Sequence, residues 1–223
     1  MTPLSEAGGK MLPYNLVILG PQGSGKGTQK DMLSKKFGMP SLVAGDLIRE
    51  KAEENNPQGH NVLNIINKGH LIPHNIVKQL FLEALKNISS NQTIIFDAWP
   101  RSKDQVEDFE NVIKKRNVKD FKFLIIEVDK EESIKRISLR RVCEKCKTNF
   151  MPPESLQEKC PKCNGKLIQR EDDYQKAMEN RLKVYETETK PVIDYFSKQN
   201  LIIKVNGEGT IEEVFNRILN KLP

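Results

Sequence analysis

The sequence predicts an α/β fold: a parallel sheet of five strands with helices on both faces. Three observations predict it. Short apolar runs recur along the 223-residue chain, at Leu16–Leu19, Ser41–Val43, Thr93–Phe96, Phe121–Val128 and Leu201–Val205. Helix-patterned stretches lie between most of them, and alternation of strand and helix is how parallel sheets are built. The runs are continuously apolar rather than alternating, as expected of strands buried on both faces.

The first run opens the chemistry. Leu16-Val17-Ile18-Leu19 leads into Gly20-Pro21-Gln22-Gly23-Ser24-Gly25-Lys26-Gly27-Thr28-Gln29, and a helical pattern runs from Gly25 to Lys36. Strand, glycine-rich turn and helix form a cradle for phosphate: glycines let backbone N–H groups approach, and the helix N-terminus adds positive charge. Lys26 is placed to reach the outer phosphates, with the Thr28 hydroxyl close by. Gly27 intervenes where the common pattern has Ser or Thr directly after the Lys. The bland alternative, a glycine-rich turn with no ligand, explains neither the Lys nor its context.

Two regions interrupt the alternation. The first, from about Ala44 to Pro73, is polar, lacks a strand and carries Asn55-Asn56-Pro57 as a turn between short helices at Asp46–Glu54 and Gly59–Lys68. The second, from about Val142 to Asp173, holds all four cysteines. Cys143-x-x-Cys146 and Cys160-x-x-Cys163 are separated by thirteen residues, the spacing of a closed tetrahedral structural zinc site. Disulfides or free thiols are the alternatives, and disulfides do not suit a chain that reads as intracellular. Helical pattern returns from Tyr174 to Lys190, and Pro191 is expected to start a new helix or kink the old one.

Asp97 closes the third run. A carboxylate at the C-terminal end of a parallel strand faces the crevice where ligands bind, so it is a candidate to hold Mg2+, directly or through water. A helix N-cap is the alternative. Arg49, Arg101, Arg136, Arg140, Arg141, Arg170 and Arg181 fall near strand ends or insertion boundaries. Arginine suits bidentate phosphate recognition, and phosphoryl transfer is mainly positioning and charge neutralisation. Any one of them taken alone reads equally well as a solvated surface charge.

Composition narrows the classes. Apolar residues make up 37% and charged residues 30%, with a net charge of +6. That balance fits a soluble globular protein, and no apolar run approaches the roughly 20 residues that span a bilayer. Residues 1–13 read as a disordered lead-in without a signal-type apolar core, which points to a cytoplasmic protein. The positive charge fits a nucleotide as well as a nucleic acid, and neither an arginine-rich tract nor an aromatic platform favours the latter.

These motifs, in this order, resemble the adenylate kinases of the nucleoside monophosphate kinase family, in the long form with a zinc-bearing lid. The resemblance runs from about Tyr14 to Leu222. It is carried by Gly20–Thr28, by Gly45-Asp46-Leu47-Ile48-Arg49, by Asp97-Ala98-Trp99-Pro100-Arg101 with Gln105, by Arg136–Arg141, by Arg170-Glu171-Asp172-Asp173, by Arg181 and by Lys204-Val205-Asn206-Gly207. It implies a P-loop three-layer fold. The core is expected at 14–43, 74–138 and 174–223, a monophosphate-binding insertion at 44–73 and the zinc lid at 139–173. It further implies reversible Mg2+-dependent phosphoryl transfer between ATP and AMP by a monomer, with no nucleic acid or membrane partner.

The resemblance also implies roles. Lys26, Arg101, Arg136, Arg170 and Arg181 surround the transferred group. Gly23, Ser24, Gly25, Lys26, Gly27, Thr28, Arg136, Arg140 and Lys204 hold ATP. Ala44, Arg49, Ala98, Arg101, Gln105, Arg170 and Arg181 hold AMP, with Gln105 reading the base. Asp97 places Mg2+ through water, Asp172 and Asp173 help close the lid, and Cys143, Cys146, Cys160 and Cys163 hold the structural zinc. Three departures stand out. Ala44 replaces a Thr and is shared with relatives acting on UMP and CMP, although the retained Gln105 favours AMP. Ala98 replaces a Gly where backbone meets the monophosphate. Trp99 replaces a Phe and is expected to enlarge an apolar wall. Two rival classes follow from the same residues: a zinc-ribbon nucleic-acid-binding ATPase, and a nucleotide-binding protein without turnover.

Overall fold

The computed structural model describes residues 11–152 and 154–223. Residues 1–10 of the expected lead-in lie outside the described residues. Its last residues do not hang free: Leu12 is buried in the core.

The chain begins with β1 (Asn15–Leu19) and α1 (Lys26–Phe37), which ends on left-handed Gly38. Next come β2 (Ser41–Val43), α2 (Ala44–Ala52), α3 (Pro57–Asn67) and α4 (His74–Leu85). The expected Asn-Asn-Pro turn is also a helix start. Asn56 Oδ1 accepts from Gly59 N–H at 2.8 Å, and Pro57 opens the first turn of α3, where its missing N–H costs nothing. β3 (Ile95–Asp97) starts two residues later than the apolar run. α5 (Lys103–Lys114), β4 (Phe121–Glu127) and α6 (Lys130–Leu139) complete the first part of the core.

The cysteine region forms its own antiparallel sheet, β5 (Arg141–Cys143), β6 (Asn149–Phe150) and β7 (Leu167–Ile168), in the order β6-β5-β7. The chain returns through α7 (Gln175–Val184), a π-helical turn (Tyr185–Thr189) and α8 (Lys190–Ser197). It ends in β8 (Ile202–Asn206) and α9 (Ile211–Lys221). Pro191 falls in the first turn of α8, one of the two places expected of it. The π turn just before it gives the ring room, because the N–H of Lys190 bonds back to Tyr185 rather than Glu186.

The main sheet has five strands in the order β2-β3-β1-β4-β8, every pair parallel. Successive residues of one strand feed opposite layers. Val17 and Leu19 join a cluster with Phe96, Trp99, Phe123 and Phe196, while Leu16 and Ile18 join one with Leu33, Leu124, Ile126 and Ile218. Both faces are therefore buried, which is why the strands read as unbroken apolar runs. β1 lies centrally, with β3 on one side and β4 on the other. Its carboxyl end opens into the crevice where the winding direction changes, the preferred ligand site of such sheets.

Candidate active site

The loop after β1 is shaped by contacts that exclude side chains. A Cβ on Gly20 would lie 2.3 Å from the Ile126 carbonyl oxygen, and one on Gly23 would lie 2.8 Å from that of Ser133. The Ser133 hydroxyl donates to the Gln22 carbonyl, so α6 clamps the loop from behind. Gly25 adopts φ 88° immediately before α1, and no side chain caps that helix. Its first N–H groups are left for an anion. Ser24 is buried beneath the loop, whereas Gly27 and Thr28 are exposed on the first turn of α1.

Lys26 folds back over the loop, donating to the carbonyls of Gly20 at 2.7 Å and Pro21 at 2.6 Å. Burial lowers its pKa to about 7. The Asp97 carboxylate opposes the shift, and Arg101, Arg181 and Arg140 reinforce it. Asp97 ends β3, in register with Ile18 of β1 and Val43 of β2. Its Oδ1 is buried without a partner, and burial pushes the carboxyl above its usual range against the pull of Lys26 and Lys30. It caps no helix: Ser102 stands at the N-cap of α5. A hard oxygen donor with an unsatisfied atom beside a phosphate loop suits Mg2+, directly or through water.

Three of the expected arginines meet in one cleft. Arg49, Arg101 and Arg181 line it together with Gly45, Ile72 and Asp172. Arg49 comes from α2 and bonds Asp46 at 2.6 Å. Arg101 comes from the loop between β3 and α5, and burial, followed by Arg181, brings it down to about 10. Arg181 comes from α7 and reaches Asp172 at 2.8 Å and Asp173 at 3.2 Å. Arg140 also bonds Asp173, through Nε at 2.9 Å. These two carboxylates gather arginines from before and after the cysteine region. Burial would raise Asp172, but Arg181, Arg170, Arg140 and Arg49 hold it below the usual carboxylate range. Arg170 donates to Asn149 Oδ1 at 2.6 Å and is lowered to about 10 by burial, then by Arg49 and Arg140.

Arg136 sits on the other side of the phosphate loop. It bonds Glu132 at 2.7 Å and donates to the Gly207 carbonyl at 3.0 Å, joining α6 to the loop after β8. The Lys204 ammonium lies 3.3 Å from Glu127, and its carbonyl accepts from Lys221. Gln105 is buried, and its Oε1 accepts from the Arg101 N–H at 2.8 Å. Nε2 stays available as a donor, and Oε1 keeps a second lone pair.

Ala44 is buried at the start of α2. Ala98 adopts φ 61°, a left-handed conformation that favours glycine. Trp99 stands in the apolar cluster on one face of the sheet. It is fully buried, stacked on Phe81 at 4.2 Å between centroids and packed edge-on against Phe109. His70 and Leu71, which also line the arginine cleft, were missed. They sit in a polar loop whose only sequence signal was the Gly69 turn.

The four cysteine sulfurs lie within 4.8 Å of one another, with Cys143 and Cys163 at 3.4 Å and Cys146 and Cys160 at 3.6 Å. A tetrahedral zinc with bonds of about 2.3 Å sets its sulfurs about 3.8 Å apart, so the cluster fits a metal ion. The thiols are free of disulfides. Lys147 and Asn164 turn the chain in left-handed conformations just after Cys146 and Cys163. The N–H of Cys146 points at Cys143 Sγ at 3.4 Å, and a Cβ on Gly165 would lie 2.8 Å from that sulfur.

What converges above the sheet is positive charge around a phosphate cradle, with one carboxylate at its mouth. That is the equipment of a P-loop phosphotransferase, whose catalysis is positioning and neutralisation. The profile of the family described as adenylate kinase matches residues 18–201. The chain is 36% identical over 208 residues to an adenylate kinase of Pyrococcus abyssi, covering 92% of this chain and 93% of that protein. It is 35% identical over 207 residues to one of Archaeoglobus fulgidus, covering 92% and 95% of the two chains. With one of a Thermoanaerobacter species it shares 33% over 210 residues, covering 93% and 97%. The chain belongs to the adenylate kinase family.

Proposed function

We propose that this enzyme transfers the γ-phosphoryl of ATP reversibly to AMP, giving two ADP. The observation that carries this reading is the cleft where Arg49, Arg101 and Arg181 converge, two of them, Arg101 and Arg181, within electrostatic reach of Lys26. A phosphate loop alone serves many nucleotide-binding proteins. A second anion site facing it serves an acceptor that is itself a phosphate ester.

On this reading Gly23 to Thr28 cradle the ATP phosphates, with Arg136 and Arg140 on the donor side and Lys204 at its rim. Arg49 and Arg101 grip the acceptor phosphate, while Arg170 and Arg181 reach the group in flight. Ala44 and Ala98 border the acceptor, and the buried Gln105 amide offers a donor and an acceptor to an adenine edge. Asp97 is the residue to hold Mg2+ through water; the ion, when bound, neutralises charge on the transferring phosphates. Cys143, Cys146, Cys160 and Cys163 are the residues to hold zinc, closing the site with no open position for chemistry.

The proposed division is a core of 14–43, 74–138 and 174–223, with 44–73 closing over AMP and 139–173 over ATP. Closure of both excludes water and so prevents idle hydrolysis. We place the enzyme in the cytoplasm as a monomer acting on free nucleotides without nucleic acid or membrane. In support, none of the described helices is long and apolar enough to cross a membrane. The test is a panel of AMP, UMP, CMP and GMP as acceptors with ATP and Mg2+. AMP is expected to turn over fastest. ATP hydrolysis stimulated by DNA or RNA, or binding of ATP with no ADP formed from ATP and AMP, would overturn the proposal.

A further inference from the structure

Arg101 stands between β3 and α5, where neither a ladder nor a helix holds its backbone. Both of its main-chain polar groups are nevertheless engaged, each by a side chain. Its N–H donates to Gln105 Oε1 at 2.8 Å, and its carbonyl accepts from the Thr189 hydroxyl at 3.1 Å. Gln105 is 3% exposed and Thr189 is 1% exposed, so the side-chain partner in each bond is buried. Fixing the N–H and the C=O fixes the backbone angles, and these set the direction in which the Arg101 side chain leaves.

Thr189 is the last residue of the π turn Tyr185–Thr189. In a regular α-helix, residues eight apart differ by roughly 80° around the axis. Thr189 would then lie well off the face that carries Arg181. The π turn takes up one extra residue, through the bond from Lys190 N–H to the Tyr185 carbonyl. Two turns then hold about eight residues, and Thr189 returns to the Arg181 side. Arg181 and Arg101 line the same cleft, so the face recovered by the π turn is the one that meets Arg101.

We propose that the π turn Tyr185–Thr189 is a positioning device for Arg101, acting through the Thr189 hydroxyl. This rests on the reading above, in which Arg101 grips the acceptor phosphate. Thr189 touches no substrate; it fixes the carbonyl of a residue that does. A guanidinium displaced by about 1 Å loses alignment with a transferring phosphoryl group, with losses that can reach about a hundredfold.

The experiment compares Thr189→Val, which keeps the shape and removes the hydroxyl, with Thr189→Ser, which keeps the hydroxyl. Thr189→Ala is measured alongside, so that a folding failure of the Val variant leaves a second hydroxyl-free protein. Steady-state rates are read at saturating ATP with AMP varied, then the reverse, with unfolding temperatures measured in parallel. The hydroxyl-free variants are expected to lose about fivefold to tenfold in kcat/KM for AMP, the worth of one buried hydrogen bond, with the KM for ATP unchanged. Thr189→Ser is expected to restore most of the loss. A lowered unfolding temperature with unchanged kcat/KM for AMP would show a packing role only and overturn the proposal. So would a Ser variant as impaired as Val, or a rise in KM confined to ATP. Failure of the unaltered enzyme to phosphorylate AMP would instead overturn the functional reading, a result separable from all of these.

Discussion

Lys26 donates to carbonyl oxygens of its own loop, at Gly20 and Pro21. It has been taken out of water before any phosphate arrives, and its pKa of about 7 records that cost. A folded pKa below the unfolded one means the unfolded chain binds more protons between the two values, so Lys26 makes stability rise with pH from about 7 towards its ordinary value of 10.5. Polyphosphate at the loop restores the charge. ATP binding at pH 8 is therefore expected to take up protons, and calorimetry in buffers of different ionisation enthalpy reads this directly. Lys26→Met should abolish the uptake; an unchanged uptake would assign it to another group. Ala98 offers a second test at this scale. Its left-handed backbone costs an L-residue about 1 kcal/mol or more, partly offset by the lower chain entropy of Ala relative to Gly. Ala98→Gly is expected to stabilise by up to about 1 kcal/mol in denaturant melts.

Among the elements, the lid has least to hold it. Its apolar cluster consists of Cys143, Phe150, Cys160 and Leu167, with Cys163 against it, so more than half of the cluster is sulfur ligand. β6 and β7 contribute two residues each. On the proposal that the four cysteines hold zinc, the ion supplies the stability that so small a cluster lacks. Removing the metal with a chelator is expected to melt residues 139–173 and lower the unfolding temperature. Phosphoryl transfer at low temperature should largely survive, since all four ligands are cysteines and leave no site for substrate. Loss of all turnover in a still-folded core would overturn that view. The helical return shows the same economy: one extra residue in a π turn both admits Pro191 and rotates Thr189 into use.

At the scale of the molecule, the two insertions meet. Lys147, in the turn after Cys146, lies 3.1 Å from Glu53 at the end of α2. A residue positioned by the metal knuckle thus touches the insertion proposed to cover the acceptor. Both side chains are well exposed, so the pair is a light latch screened by salt. Lys147→Gln is expected to raise the KM for both nucleotides by no more than about fivefold, with the difference vanishing at high ionic strength. A difference that persisted in molar salt would show that the contact is not electrostatic.

The phosphate loop, the five strands and the four cysteines were legible in the chain because each is a local pattern: apolar run, glycine spacing, paired ligands. Asp97 was legible because a strand end fixes where its carboxylate points. The arginines could be named but not assembled, since Arg49, Arg101 and Arg181 come from separate segments and meet only when α2 and α7 pack beside the sheet. Trp99 could be read as apolar but not paired with Phe81, because that stacking is a contact between distant residues. The π turn left no mark in the sequence beyond Pro191, because a change of helical phase depends on what the helix must face. Local pattern wrote the phosphate cradle and the metal knuckles; packing between distant segments decided which charges would face them.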